Sequence, residues 1–154
     1  EAGGVALNLK SEAEVKTAAE KMAKLAPEVL VEKMVPGAVT ELIIGLKCDP
    51  QFGLALVVGA GGIFTELLKD SATLLLPTNR SEITRALRGL RIWKLVEGFR
   101  GKSGDQDAVI KAVEAVAAFA AAHEATLEEL DINPLFVLPQ GAVAADALIR
   151  MRTK

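Results

Sequence analysis

At 154 residues, of which 51% are hydrophobic and 25% charged, the chain has the apolar surface for one full core, arranged as one domain or as two lobes of one. The 18 basic and 20 acidic side chains leave a formal charge of -2 and no basic block, which argues against nucleic acid and anionic membranes as partners. The longest apolar runs, such as 54–58 and 115–122, are too short to cross a bilayer, and no signal-peptide order opens the sequence, so a cytoplasmic protein is expected. The lone Cys48 excludes an intrachain disulfide and a cysteine-based zinc site, and reads as a reduced, half-buried thiol.

In chain order, residues 5–9 read as a short strand. Ser11, with Glu14 three residues on, is a capping-box signature that opens a helix through Val15, Ala18, Ala19 and Met22, closed by Pro27. Residues 29–35, 39–47 and 52–58 are β-rich runs separated by Pro36-Gly37 and Asp49-Pro50, the turn chemistry of an antiparallel meander. Ser81 is placed to cap a helix over 82–90. Asp105 or Asp107 starts a long helix ending near His123, with Val109, Ala112, Val113, Val116, Ala117 and Ala120 on one stripe. Residues 127–138 and 142–149 close the chain as a hairpin around Pro139-Gln140-Gly141. Strands and helices in separate runs define an α+β chain, a mainly antiparallel sheet backed by helices. Glu1-Ala2-Gly3-Gly4 and Arg152-Thr153-Lys154 look like cut ends, so a fragment of a longer multidomain polypeptide is expected.

The chemistry concentrates in Glu129-Leu130-Asp131-Ile132-Asn133-Pro134-Leu135. On a strand, the period of two puts Glu129, Asp131 and Asn133 on one face and Leu130, Ile132 and Pro134 on the other. Neighbouring carboxylates repel unless a cation or proton offsets them, and hard oxygens with an open shell suit Mg²⁺ held jointly with phosphates. Asp146 on the partner strand is the natural further member. A two-residue loop at Pro139-Gln140 sets Asp146 opposite Asn133, whereas a three-residue loop ending at Gly141 turns it to the wrong face unless another bulge restores the register. An amphipathic edge strand with solvated acids accounts for the same spacing. Gly59-Ala60-Gly61-Gly62 lacks the lysine and hydroxyl of a P-loop. Its glycines, with Glu66 beyond, fit either a phosphate approach or a turn at positive φ. Arg100, in Gly98-Phe99-Arg100-Gly101-Lys102, reads either as an anion contact or as a structural surface arginine.

Taken together, residues 129–135 with Gln140-Gly141 and Asp146 resemble the magnesium hairpin of the beta subunit of succinyl-CoA synthetase and of NDP-forming acetyl-CoA synthetases. In the same order, residues 29–35 resemble the adenine hinge of these ATP-grasp proteins, and Glu41-Leu42-Ile43-Ile44-Gly45 resembles the strand whose glutamate contacts nucleotide. Residues 49–53, 59–68 and 98–101 resemble further signature segments of the NDP-forming acyl-CoA synthetases. The likeness covers nearly the whole chain, which is therefore expected to be a partial ATP-grasp domain over 1–154.

The resemblance implies that Asn133 and Asp146 hold Mg²⁺ with Asp131 close by, and that Glu32, Val35 and Glu41 line an adenosine pocket. It implies an acid-thiol ligase in the intact protein, with ATP or ADP, Mg²⁺ and CoA as its small molecules. ATP would phosphorylate a histidine, the phosphoryl group would pass to a small-molecule acid, and CoA would displace phosphate from the acyl phosphate. Expected partners are the CoA-binding and phosphohistidine domains or subunit of the same enzyme, or a second copy of the chain. The family's phosphate-gripping lysine, its covering loop and a histidine-containing stretch lie upstream of the segment matched here, so the isolated fragment is expected to be inactive. His123 matches no phosphohistidine motif and reads as a helix-end residue. Two other classes share parts of this pattern: a different ATP-grasp carboxylate ligase, and a regulatory ATP-grasp module fused to an acetyltransferase.

Overall fold

The structure, a computed structural model, describes residues 3–49, 51–62 and 70–152. The chain divides into two compact units, Glu1–Pro36 and Gly37–Lys154.

In the first unit, helix α1 (Glu12–Met22) starts where Ser11 Oγ accepts from the Glu14 N–H at 3.3 Å. Glu14 Oε2 reaches back to the Lys10 N–H at 2.8 Å, one residue before the cap. The first contact quenches a donor that a helix start leaves open, and the second ties the preceding residue to the first turn. The strand expected over 5–9 does not form. Asn8 sits at φ 60, in the left-handed region, which interrupts the pleat. The run 29–35 is not in a ladder among the described residues either, and Leu30 and Val31 are exposed. β-rich composition favours a strand only where a neighbour supplies hydrogen bonds and packing, so the expected three-stranded meander is reduced to its last two strands.

In the second unit, the described residues form a six-stranded antiparallel sheet: β1 (Thr40–Asp49), β2 (Gly53–Ala60), β3 (Ser71–Leu75), β4 (Leu127–Val137), β5 (Ala142–Ala144) and β6 (Ala147–Met151). The spatial order is β3-β2-β1-β4, with β5 and β6 following each other along the free side of β4. Strands β1 and β2 meet at a tight turn, where Asp49 Oδ1 accepts from the Gln51 and Phe52 N–H groups at 2.8 and 3.0 Å. Those two donors hold the Asp49 carboxyl below its ordinary value.

Alternation makes one face of the sheet apolar. Leu42, Ile44 and Leu46 of β1 align with Leu56, Val58 and Ala60 of β2 and with Leu130 and Leu135 of β4, and all are buried. Helices α2 (Arg80–Gly89), α3 (Trp93–Gly98) and α4 (Gln106–Ala122) contribute Ile83, Leu87, Trp93, Val96, Val109, Ile110, Val113, Val116 and Ala120 to the same core. Cys48 is half-buried against it.

The cap of α2 is Asn79, two residues before the expected Ser81. Asn79 and Glu82 stand at the N-cap and N3 spacing, and both reciprocal bonds of the capping box are made. Asp70 accepts from the Arg91 and Ile92 N–H groups at 2.9 and 2.8 Å, tying the entry of α3 to the start of β3. Asp105 is the cap of α4, and His123 closes that helix with its ring 4.4 Å from that of Phe119.

Candidate metal and nucleotide site

The second face of the sheet carries the chemistry. Glu129 and Asp131 alternate with buried Leu130, and β1 faces them with Lys47 and Gly45. The period then slips. Leu42 pairs with Leu135 but Ile44 with Ile132, so β4 spends one extra residue at Asn133-Pro134, a peptide bond in the cis form. Leu135 and Val137 thereby become the buried residues, which corrects the expectation that Pro134 would continue the core face.

On its other side, β4 keeps one register across this irregularity. Val137 pairs with Ala142, Leu135 with Ala144 and Ile132 with Ala147, which leaves Asn133 facing Asp146. The Asn133 N–H donates to the Asp146 main-chain carbonyl at 3.4 Å, and the Ala145 N–H to Pro134 O at 3.0 Å. The Leu138 N–H donates to Gly141 O at 3.1 Å, so the connection is the two-residue loop Pro139-Gln140, with Gly141 at φ 86. The expected single partner strand is instead two short ones, broken at Ala145-Asp146 opposite the slip.

The three residues expected to act on a cation are therefore neighbours along one hairpin. Asn133 and Asp146 are exposed and Asp131 is half-buried. Asp131 Oδ1 lies 3.9 Å from the point where a Cβ on Gly45 would stand, so the absent side chain leaves the space over Asp131 open. Glu129 is committed elsewhere, to Arg150 at 3.3 Å. Among the described residues no group of three or more His, Cys, Asp or Glu is placed to hold a metal. Two carboxylates and one amide make an incomplete oxygen shell, which fits Mg²⁺ that keeps part of its shell for water and phosphate.

Glu41 lies on this same sheet face, opposite Phe136. Four residues along β1 separate it from Gly45, a Cα distance of about 13 Å at the usual strand rise. Its carboxylate leans over the glycine turn, with Oε2 2.5 Å from where a Cβ on Gly62 would be. Gly61 donates its N–H to Glu41 O at 2.9 Å, and a Cβ there would meet the Leu42 carbonyl carbon at 2.9 Å. At Gly59 a Cβ would meet Asp70 O at 2.8 Å, and Gly62 is at φ 61. All three glycines are thus explained by backbone packing and a left-handed turn. Glu66 lies outside the described residues. Glu32, exposed, and Val35, half-buried, belong to the first unit, in the run without a ladder partner.

Arg100 at φ 50 and Gly101 at φ 80 form the tip of a tight turn closed by Phe99 and Lys102. The Arg100 guanidinium lies over the Phe99 ring, 5.2 Å from its centroid, a packing role that needs no anion. Two contributors were missed in the sequence. Gly45 looked like an ordinary strand residue, and Asp105 was seen only as a helix cap, although its second oxygen reaches the turn at Gly141.

An antiparallel sheet with helices on one face and a carboxylate-amide hairpin on the other is the architecture of an ATP-grasp lobe. A family profile described as an ATP-grasp domain matches residues 1–151, and the chain belongs to this family. It is 37% identical over 153 residues to acetate–CoA ligase (ADP-forming) II of Archaeoglobus fulgidus, covering 96% of this chain and 22% of that relative. It is 30% identical over 156 residues to the beta subunit of acetate–CoA ligase (ADP-forming) I of Pyrococcus furiosus, covering 96% of this chain and 67% of that subunit. Among solved structures it resembles the dinucleotide forming acetyl-coenzyme A synthetase 1 of Ca. Korarchaeum cryptofilum, in complex with coenzyme A and Mg-AMPPCP. There the TM-score is 0.87 at 34% identity, covering 98% of this chain and 69% of that one. The chain thus spans about a fifth of the single-chain relative and two thirds of the beta subunit. No described helix is long and apolar enough to cross a membrane.

Proposed function

We propose that this chain is the nucleotide- and magnesium-binding part of a cytoplasmic NDP-forming acyl-CoA synthetase, which converts an acid, CoA and ATP into acyl-CoA, ADP and phosphate through phosphohistidine and acyl-phosphate intermediates. The observation that carries the reading is the register that sets Asn133 opposite Asp146, one residue beyond Ile132 from Asp131. Similarity to ADP-forming acetate–CoA ligases, and to a synthetase structure holding coenzyme A and Mg-AMPPCP, supports it.

In this reading Asp146 and Asn133 supply oxygens to Mg²⁺, and Asp131 adds an acceptor beside them over the space that Gly45 leaves. These residues would hold the cation, which would supply positive charge to offset the charge developing during phosphoryl transfer. Glu41 accepts from ribose hydroxyls away from the reacting phosphate. Glu32 and Val35, in a run that joins no ladder among the described residues, are assigned to adenosine recognition, where main-chain groups would read the adenine edge. CoA binding and the phosphohistidine belong to other domains or a partner subunit, as the beta-subunit relatives make natural.

Calorimetric titration of the chain with ADP, with and without Mg²⁺, tests the assignment. The parent should bind ADP more tightly with Mg²⁺. Asp146→Ala should lose that increment while keeping metal-free affinity. A parent indifferent to Mg²⁺, or an Asp146→Ala variant with an unchanged increment, would reduce the hairpin to a structural strand pair.

A further inference from the structure

The turn that joins β4 to β5 closes on itself through only one of its two main-chain bonds. A four-residue turn over 138–141 ordinarily bonds the first carbonyl to the last N–H. Here the two groups part. Leu138 O accepts from the Asp105 N–H at 2.9 Å, and the Gly141 N–H donates to Asp105 Oδ2 at 2.9 Å. The Leu138 N–H to Gly141 O bond, 3.1 Å, completes a ring of three hydrogen bonds through Asp105. The other oxygen, Oδ1, accepts from the Ala108 N–H at 3.0 Å and caps α4. Neighbouring Gly104 has no room for a side chain, because a Cβ would stand 2.5 Å from Val137 Cγ1.

We infer that Asp105 is a positioning residue for the metal hairpin: it supplies both halves of the missing turn bond, and so locks the register that places Asp146 opposite Asn133. The inference rests on the metal assignment above. Its physical content is that a one-residue slip at this turn would send Asp146 to the other sheet face, while every pairing from Val137–Ala142 outward depends on where the turn closes. A carboxylate suits the task because it accepts two N–H groups at once from two elements. The Ala108 and Gly141 donors, in that order, hold the Asp105 carboxyl below its ordinary value, so it stays ionised at neutral pH.

Asp105→Asn separates the two roles. Asparagine caps helices as well as aspartate, so its oxygen keeps the Ala108 contact, but its NH₂ then faces the Gly141 N–H, donor against donor. In the ¹⁵N-labelled 154-residue chain with ADP, Mn²⁺ is titrated while broadening of the Asn133 and Asp146 signals is followed, and amide exchange is measured separately without metal. Expected for Asp105→Asn are Gly141 exchange faster by about tenfold or more, unchanged Ala108 exchange, and a Mn²⁺ requirement raised severalfold. Val113→Ala, which weakens the buried stripe of α4 away from the turn, should keep the parent's Mn²⁺ titration. An unchanged Gly141 exchange, an unchanged Mn²⁺ titration in Asp105→Asn, or an equal loss in Val113→Ala would overturn the inference and leave the metal assignment standing. A parent in which Asn133 and Asp146 do not broaden would take down the metal assignment itself, and the positioning role with it.

Discussion

Replacing Gly61 by alanine tests whether the glycine turn is built for its own backbone. The new methyl would stand 2.9 Å from the Leu42 carbonyl carbon and 3.0 Å from both Glu41 C and Leu42 O. These are main-chain atoms of β1, which is held by β2 on one side and β4 on the other, so no rotamer change relieves the contact. Relief would have to lengthen the Gly61 N–H to Glu41 O bond, now 2.9 Å. Overpacking of this kind costs roughly 2–3 kcal/mol. At about 2–4 °C per kcal/mol for a chain of this size, the thermal midpoint should fall by roughly 4–12 °C. Trp93 is the assay. It is the single tryptophan, 1% exposed in the core beneath the sheet, and its emission reports unfolding of the Gly37–Lys154 unit. Gly45→Ala is the control, since its methyl would meet nothing closer than 3.9 Å and should shift stability by less than about 1 kcal/mol. A Gly61→Ala chain that melts with the parent but binds nucleotide poorly would refute the packing argument, and would restore the turn as a phosphate-approaching loop.

Other expectations follow from the same contacts. Glu41→Ala should weaken ADP binding by about 1.5–3 kcal/mol, the span of one hydrogen bond to a charged group, while leaving the increment due to Mg²⁺ intact; calorimetry at two Mg²⁺ levels checks both. Val113→Ala removes two methyl groups from a fully buried site and should cost roughly 2 kcal/mol in the Trp93 unfolding transition. The Asp105 carboxyl sits below its ordinary 3.8 in the folded chain, so its contribution is fully present above that value and is lost as pH falls through the lower folded one. The stability of Asp105→Asn should therefore lie below the parent at pH 6 and converge with it in the acid limb under pH 3.8; parallel curves would refute the linkage.

Elements with a local cause were legible in the sequence. The long helix α4 is specified by its apolar stripe and its aspartate cap, and β1 and β2 by alternation on either side of a turn-forming Asp-Pro. What failed had a non-local or competing cause. Residues 5–9 and 29–35 have strand composition, but composition cannot say whether a partner is present, and Asn8 in the left-handed region breaks the first run. Ser81 and Asn79 are both acceptable caps on residue type. The choice went to the one with glutamate three residues on, a signal that was present and not weighed.

For the candidate site, the decisive quantity was parity. Counting by twos from Glu129 reaches Asn133, which is exposed, and then misplaces Pro134 in the core. The apolar Leu135 and Val137 beyond it already required one residue to be absorbed between Ile132 and Leu135, and a proline, which cannot donate to a ladder, is the natural place. That bulge lets two demands coexist: an uninterrupted buried face under α4, and an exposed Asn133 across from Asp146. The sequence also held two loop lengths open, and they differ in which face Asp146 occupies. Within the hairpin, the Leu138 N–H to Gly141 O bond marks the two-residue loop. The other bond of that turn is taken up by Asp105, 36 residues before Gly141, whose carboxylate accepts the N–H that the turn would otherwise satisfy itself. If Asp105 holds the register as inferred, the site geometry depends on a helix cap far away in sequence, and such a dependence becomes readable only once the register is known.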